Sequence, residues 1–166
     1  MAGKTVTTTE IMTLLAAAPE QIATFTGGLT PAQLQAPLAE DEWSFVVILA
    51  HLRACADVWG GCIDQILAEE RPTIRAVNPM TWIVQTNYSE LPFSTSLAAF
   101  TAQRHALLAT LTGLAPADWL RTATVTGAGK PLERSVQSYA EWLATHERSH
   151  VKHIRRLAAR LAGEEK

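Results

Sequence analysis

The chain has little of what marks a secreted, membrane-spanning or nucleic-acid-binding protein. It has two cysteines among 166 residues and a formal net charge of −2, whereas a nucleic-acid-binding domain usually carries a basic footprint. No apolar run reaches the roughly 18–20 residues of a membrane span. Residues 1–5 lead into a polar stretch and not into an apolar signal core. We therefore expect a soluble, cytoplasmic protein that binds neither nucleic acid nor membranes.

The two cysteines, Cys55 and Cys62, do not suit a disulfide. They lie on one face of a predicted helix, with two turns between them that separate their Cα atoms by about 10 Å. A disulfide requires Cα atoms no more than about 7 Å apart. We interpret both residues as reduced thiols in the core.

Several catalytic motifs are also missing. The sequence contains no nucleophilic serine elbow, no phosphate-cradling loop and no paired-carboxylate motif. Residues 146–150 (HERSH) have the spacing of the HExxH motif of zinc proteases, but we expect no protease-type chemistry from Glu147. Glu147 is turned about 100° from the face that carries His146, so we predict a solvated carboxylate there.

What is present is helical periodicity along almost the whole chain. Apolar residues recur at spacings of three and four over residues 8–26, 44–69, 94–112 and 132–161. Short capped turns are predicted at 30–34 and 116–119, and a loop or small hairpin at 122–130. The connection over 72–92 is predicted to be irregular and is long enough to cross the end of a bundle. We predict a single all-α domain over residues 1–166, a four-helix bundle with long crossover connections.

Histidines replace core residues in the last predicted helix. His146, His150 and His153 lie within eight residues and share one face, between the apolar residues Leu143 and Leu157. Buried imidazoles need partners for their ring nitrogens, and a metal ion is one way to satisfy several of them.

A helical HxxxH pair supplies two ligands, whereas a catalytic zinc site usually has three protein ligands and an open position. His51, on the core face of the second helix, is the natural third ligand, and His153 competes with it for that role. Cys55, one turn beyond His51, could also face the metal. The alternative interpretation is that these histidines are hydrogen-bonded packing residues.

Two segments resemble the DinB-like superfamily of metal-binding four-helix bundles, which includes bacillithiol transferases and mycothiol-dependent maleylpyruvate isomerases. Residues 42–52 (EWSFVVILAHL) resemble the family's W-S and H-L pattern at the start of the second helix. Residues 146–154 (HERSHVKHI) resemble its H-D/E-x-x-H-x-x-Q-I signature in the fourth helix. Length and helix order are similar across the whole chain.

The resemblance implies a divalent ion held by His51, His146 and His150. His153 stands where the family usually has glutamine, so it could be a hydrogen-bonding partner of a ligand, a fourth ligand or a proton shuttle. Arg104 falls near a common arginine of the family. It could bind a carboxylate of a thiol cofactor or form a surface ion pair. Ser149 occupies a position where the family often has a further histidine.

The resemblance favours a metal-dependent thiol S-transferase or isomerase that activates a low-molecular-weight thiol such as mycothiol or bacillithiol. The alternatives are a metal-dependent hydrolase that uses the same site and a non-enzymatic metal-binding stress-response bundle.

Three nitrogen ligands accept zinc, nickel, iron or copper, and we expect zinc or nickel. We expect a small-molecule substrate. Trp82 and Tyr88 could cap the site from the 72–92 connection, and an apolar bundle face could support a homodimer.

Overall fold

The protein is described over residues 6–163 of a computed structural model. Residues 1–5, on which the expectation of no signal peptide rests, lie outside the described residues. The helices, in chain order, are α1 (Thr8–Thr26), α2 (Pro31–Gln35), α3 (Phe45–Ala68), α4 (Pro79–Gln85), α5 (Phe93–Thr112), α6 (Pro116–Trp119) and α7 (Val136–Ala162). The strands are β1 (Thr73–Arg75), β2 (Thr122–Thr126) and β3 (Leu132–Ser135).

The four long helices form the predicted four-helix bundle. Both α1 and α3 pack against α5 and against α7, so α1 and α3 occupy opposite corners. The connections from α1 to α3 and from α5 to α7 therefore run between opposite corners, as the predicted crossovers require. Buried aliphatic and aromatic side chains from all four helices fill the interior between them.

Side-chain caps explain where α1, α3 and α7 begin. The Thr7 hydroxyl accepts a hydrogen bond from the backbone N–H of Glu10, which opens α1 with a capping box. Ser44 caps α3 in the same way by accepting from the N–H of Val47 at 3.2 Å. These caps fix the register of each helix, and hence which of its side chains face the core.

The structure contains a small sheet, of which the sequence analysis predicted only a loop or small hairpin at 122–130 and not the strand β1. β1 pairs in parallel with β2, and β2 pairs antiparallel with β3. The prediction that the last helix starts at residue 132 is wrong, because residues 132–135 pair with β2 and the helix starts only after the cap at Ser135. The 72–92 connection is also more regular than predicted. It contains β1, α4 and a 3-10 turn over Tyr88–Glu90.

One helix of the described residues, α3, is long and apolar enough to cross a membrane by length and composition alone. Half of the most apolar 18-residue segment of α3 is buried inside the bundle, where α3 packs against α4, α5 and α7. These packed faces explain the apolar character of α3, since a helix buries its apolar side chains against its neighbours.

Candidate metal centre

Three imidazoles from two helices converge between α3 and α7. His51 lies in the second turn of α3, and His146 and His150 lie one turn apart on α7. The Nε2 atom of His51 is 3.1 Å from Nε2 of His146, and Nε2 of His150 is 3.2 Å from that same atom. The structure therefore brings together the three histidines that the sequence singled out.

These nitrogens cannot all satisfy one another. A neutral imidazole has one N–H and one nitrogen lone pair. His146 Nε2 has two nitrogen neighbours at hydrogen-bonding distance but can donate or accept only one well-formed bond in the ring plane. Its other ring nitrogen, Nδ1, is buried without a hydrogen-bond partner among residues 6–163. A cation shared by the three Nε2 atoms would remove the conflict.

The distances from His146 Nε2 to the other two nitrogens fit a bound metal ion. With bonds of about 2.0–2.1 Å, two nitrogens separated by a tetrahedral angle at the ion lie about 3.3–3.4 Å apart, and at a right angle about 2.9 Å. The observed separations of 3.1 and 3.2 Å lie between these values. Each of these two pairs of nitrogens therefore has the separation of neighbouring donors on one ion.

The surroundings keep the imidazoles neutral, which is the form that binds metals. Burial and, to a smaller extent, the charge of His51 lower the pKa of His146 to about 4. Burial also lowers the pKa of His150 to about 4, with contributions from His146, His51 and His153. Burial lowers the pKa of His51. At neutral pH the site therefore presents three uncharged nitrogen donors.

Aromatic rings flank the histidines on two sides. The ring of Trp43 stacks parallel to that of His150, with centroids 6.3 Å apart, and meets His51 edge-on at 5.2 Å. On the other side Trp59 meets His146 edge-on at 5.2 Å and stacks on Trp142 at 4.3 Å. The rings hold the imidazoles in place by contact, and Trp43 and Trp142, both over a third exposed, border the approach from solvent.

Cys55 also faces this cluster. Its Sγ is 3.7 Å from Nε2 of His51, and donor atoms of His51, Cys55 and His146 all lie within 4.8 Å of one another. The thiol is fully buried, and burial together with the negative charge of Glu147 raises its pKa to about 12. Both cysteines are free, as the sequence analysis predicted.

The prediction that Glu147 is solvated is wrong. Glu147 and Arg104 are each 1% exposed and form an ion pair between α7 and α5 across the interior of the bundle. Burial raises the pKa of Glu147 to about 7, although Arg104 opposes this shift. The ion pair of Arg104 is thus buried and not on the surface. A cofactor carboxylate bound to Arg104 would have to compete with Glu147.

The remaining predicted residues are less closely tied to the cluster. His153 is half-buried on α7, near enough to His150 for its charge to lower the pKa of that residue. Trp82 and Tyr88 do not cap the histidines. Both donate to Asp57 on α3, the indole N–H at 2.9 Å and the phenol at 2.6 Å.

Sequence reasoning missed Asp57, which also accepts a hydrogen bond from the side-chain amide of Gln103 on α5. Its carboxylate joins α3 to α4, to the 3-10 turn and to α5, beside a cavity of about 550 Å³ that Arg104 also lines. The available signal was an aspartate inside the mainly apolar stretch 45–63, where a charged side chain needs partners.

Comparisons with known proteins agree with the resemblance. The model of the DinB superfamily matches residues 14–154. Among solved structures, YfiT from Bacillus subtilis matches with a TM-score of 0.76 and 18% sequence identity, over 98% of this chain and 93% of that one. YfiT is described as a probable metal-dependent hydrolase with an unusual four-helix bundle topology. No curated protein matches the chain. At this identity the likeness to YfiT shows a shared fold.

Proposed function

The chain belongs to the DinB superfamily, and on that premise we propose that it is a metal-dependent enzyme that activates a low-molecular-weight thiol. His51, His146 and His150 would hold a divalent ion, zinc or nickel. The observation that carries the proposal is the convergence of the three Nε2 atoms, 3.1 and 3.2 Å apart at His146. Such an ion lowers the pKa of a bound thiol, which makes the thiolate available at neutral pH.

The groups around the histidines favour thiol activation over water activation. A thiol ionises near pH 8.5 unaided, whereas water ionises near about 15.7 and depends far more on the ion and on a nearby base. The carboxylate next to His146 in sequence, Glu147, is buried and bound to Arg104. It is therefore not presented as a base for water. The activated thiol would then be transferred to an electrophile or used to isomerise one.

Metal analysis tests the site itself. We expect the purified protein to bind about one zinc or nickel ion per chain, with loss of that ion in His51→Ala, His146→Ala and His150→Ala. The matched control is His105→Ala, because His105 is exposed on α5 and outside the cluster. His153→Ala shows whether that histidine contributes to affinity. Equal metal content in the wild type and in the His51, His146 and His150 variants would overturn the assignment.

Activity measurements test the reaction. The metal-loaded protein is incubated with an electrophile and, separately, with mycothiol, bacillithiol or glutathione, and loss of free thiol is followed. We expect a rate that requires both metal and one of these thiols and that is absent in His146→Ala. No metal-dependent rate with any thiol would reject thiol transfer.

A metal-dependent hydrolase is the second candidate, and the likeness to YfiT, a probable metal-dependent hydrolase, favours it. The same three histidines would serve, with water in place of the thiol. Hydrolysis of ester and amide substrates that needs metal but no thiol would select this function. Bound metal without either activity would leave a non-enzymatic metal-binding bundle.

We further propose a cytoplasmic protein with a small-molecule substrate and no nucleic-acid or membrane partner. The net charge of −2 is consistent with this. A homodimer is compatible with exposed apolar side chains such as Val84, which is 83% exposed. Light scattering coupled to size exclusion would measure the oligomeric state.

A further inference from the structure

We propose that Cys55 is a fourth protein ligand of the metal ion, bound through its thiolate sulfur. This inference rests on the proposed function, because it requires an ion at the histidines. It adds a donor that the three-histidine pattern does not contain. The resulting site would have three nitrogen donors and one sulfur donor.

The position of the sulfur carries the inference. Cys55 Sγ is 3.7 Å from Nε2 of His51, and the two residues are one turn apart on the same face of α3. In a tetrahedral zinc site with bonds of about 2.0–2.1 Å to nitrogen and 2.3 Å to sulfur, the nitrogen and sulfur donors lie about 3.5–3.6 Å apart. The observed distance is within about 0.2 Å of that value.

The third member of the group is on the other helix. Donor atoms of His51, Cys55 and His146 are mutually within 4.8 Å, so the sulfur faces α7 as well as its own helix. The Cys55 side chain is fully buried, so its thiol faces these protein neighbours and not bulk solvent. A thiol that merely filled the core would not need to lie beside two converging imidazoles.

The other cysteine provides a contrast within the same helix. Cys62 is half-buried and lies two turns further along α3, where its thiol contacts the hydroxyl of Tyr139. It also lines a separate cavity with Val58 and Trp142. Cys62 is therefore a matched control, with the same chemistry and the same helix but no histidine neighbours in the cluster.

Binding through sulfur changes what the site prefers. As the metal–sulfur bond forms, the sulfur–hydrogen bond breaks and the proton leaves to solvent, with no change in oxidation state. A soft thiolate donor favours zinc over hard ions such as magnesium or manganese. Four protein donors also complete a tetrahedral set, so an incoming thiol would have to displace Cys55 or enlarge the coordination.

Cobalt(II) substitution of the full-length protein tests this directly. Visible d–d bands report cobalt bound at the site, and a near-ultraviolet charge-transfer band reports a cobalt–thiolate bond. We expect both in the wild type and in Cys62→Ser, and only the visible bands in Cys55→Ser. We also expect Cys55→Ser to weaken zinc binding by more than about tenfold, since even loss of an outer partner of a ligand costs 10–100-fold.

The outcomes separate the two proposals. Visible bands without the charge-transfer band in the wild type would overturn ligation by Cys55 and leave the histidine site standing. Loss of the charge-transfer band in Cys62→Ser but not in Cys55→Ser would show that the sulfur ligand is Cys62. That result would overturn the inference. No bound cobalt in the wild type would overturn both proposals.

A second measurement avoids reliance on the Cys55 variant, which could fail to fold. X-ray absorption of zinc-loaded Cys62→Ser, which retains Cys55 as its sole cysteine, should show one sulfur neighbour at about 2.3 Å. A first shell of nitrogen and oxygen alone would reject the inference.

Discussion

At the scale of single residues, the histidines keep the neutral form at a pH where free imidazoles would be half protonated. Burial holds the pKa of His146 and His150 at about 4, against 6.5 for the free side chain. As pH falls through 6.5 the unfolded chain takes up protons at these positions and the folded protein does not. The free energy of unfolding of the metal-free protein therefore falls between about pH 6.5 and 4.

Each imidazole should contribute about 1 kcal/mol to this loss, because partial exposure screens much of the shift. Glu147 has the opposite effect on the free energy of unfolding. Because its pKa is raised to about 7, its contribution to that free energy declines as pH rises from 4.5 to 7. We therefore compare the wild type with His150→Asn, by urea denaturation in chelator at pH 7 and pH 4.5. The wild type should lose about 1 kcal/mol more than the variant on acidification. Equal losses would contradict the prediction.

At the scale of secondary-structure elements, the ion pair of Arg104 and Glu147 joins α5 to α7 inside the bundle. Removal of one partner leaves a buried, unpaired charge, which typically costs 3–5 kcal/mol. We expect Glu147→Ala to lower the free energy of unfolding by about that amount. The double variant Arg104→Met with Glu147→Leu should recover most of the loss, since it leaves no buried charge.

The chain supplies its own control for this prediction. Arg71 and Glu133 form an ion pair at 3.1 Å with side chains 75% and 60% exposed. Exposed pairs contribute about 0–1 kcal/mol, so Glu133→Ala should change the unfolding free energy little. Similar losses in Glu133→Ala and Glu147→Ala, measured by urea denaturation at pH 7, would show that burial does not set the value of the Arg104 pair.

The same elements show which parts of the fold could be predicted from the sequence. Helical periodicity and caps such as Ser44 identify α1, α3 and α5 because this information is local. The parallel pairing of β1 with β2 joins residues about fifty positions apart, and each strand has five residues or fewer. No local pattern encodes such a pairing. Residues 132–135 seemed to extend α7 for the same reason.

The site follows the same division between local and long-range information. The spacing of His146 and His150 is visible in the sequence, and His51 could be nominated from its place on the core face. The prediction of a solvated Glu147 was wrong because the angular position of a residue on α7 does not show which side chains of other helices cover that side of α7. In the bundle α7 contacts both α1 and α3, and Arg104 reaches its flank from α5. Only the packed structure shows that Glu147 has a partner in the interior.

At the scale of the whole molecule, a bound ion would join α3 to α7, which carry one and two of the converging histidines. The helix α1 packs against α7 and α5 packs against α3, so the joint lies within the cooperative core. A ligand that binds only the folded state stabilises it by RT ln(1 + [L]/Kd), about 2.7 kcal/mol at a free concentration one hundred times Kd. For a domain of this size, that corresponds to a rise in Tm of about 5–10 °C.

We expect zinc to raise the Tm of the wild type by that amount and excess chelator to reverse the rise. His51→Ala should abolish most of the effect, because the ion would then be held by α7 alone and would no longer connect two helices. His105→Ala should respond like the wild type, since His105 is exposed and remote from the cluster. Thermal scans of the three proteins at matched free zinc make the comparison. An undiminished rise in His51→Ala would mean that the ion is bound without α3, and the proposed centre would lose its defining ligand.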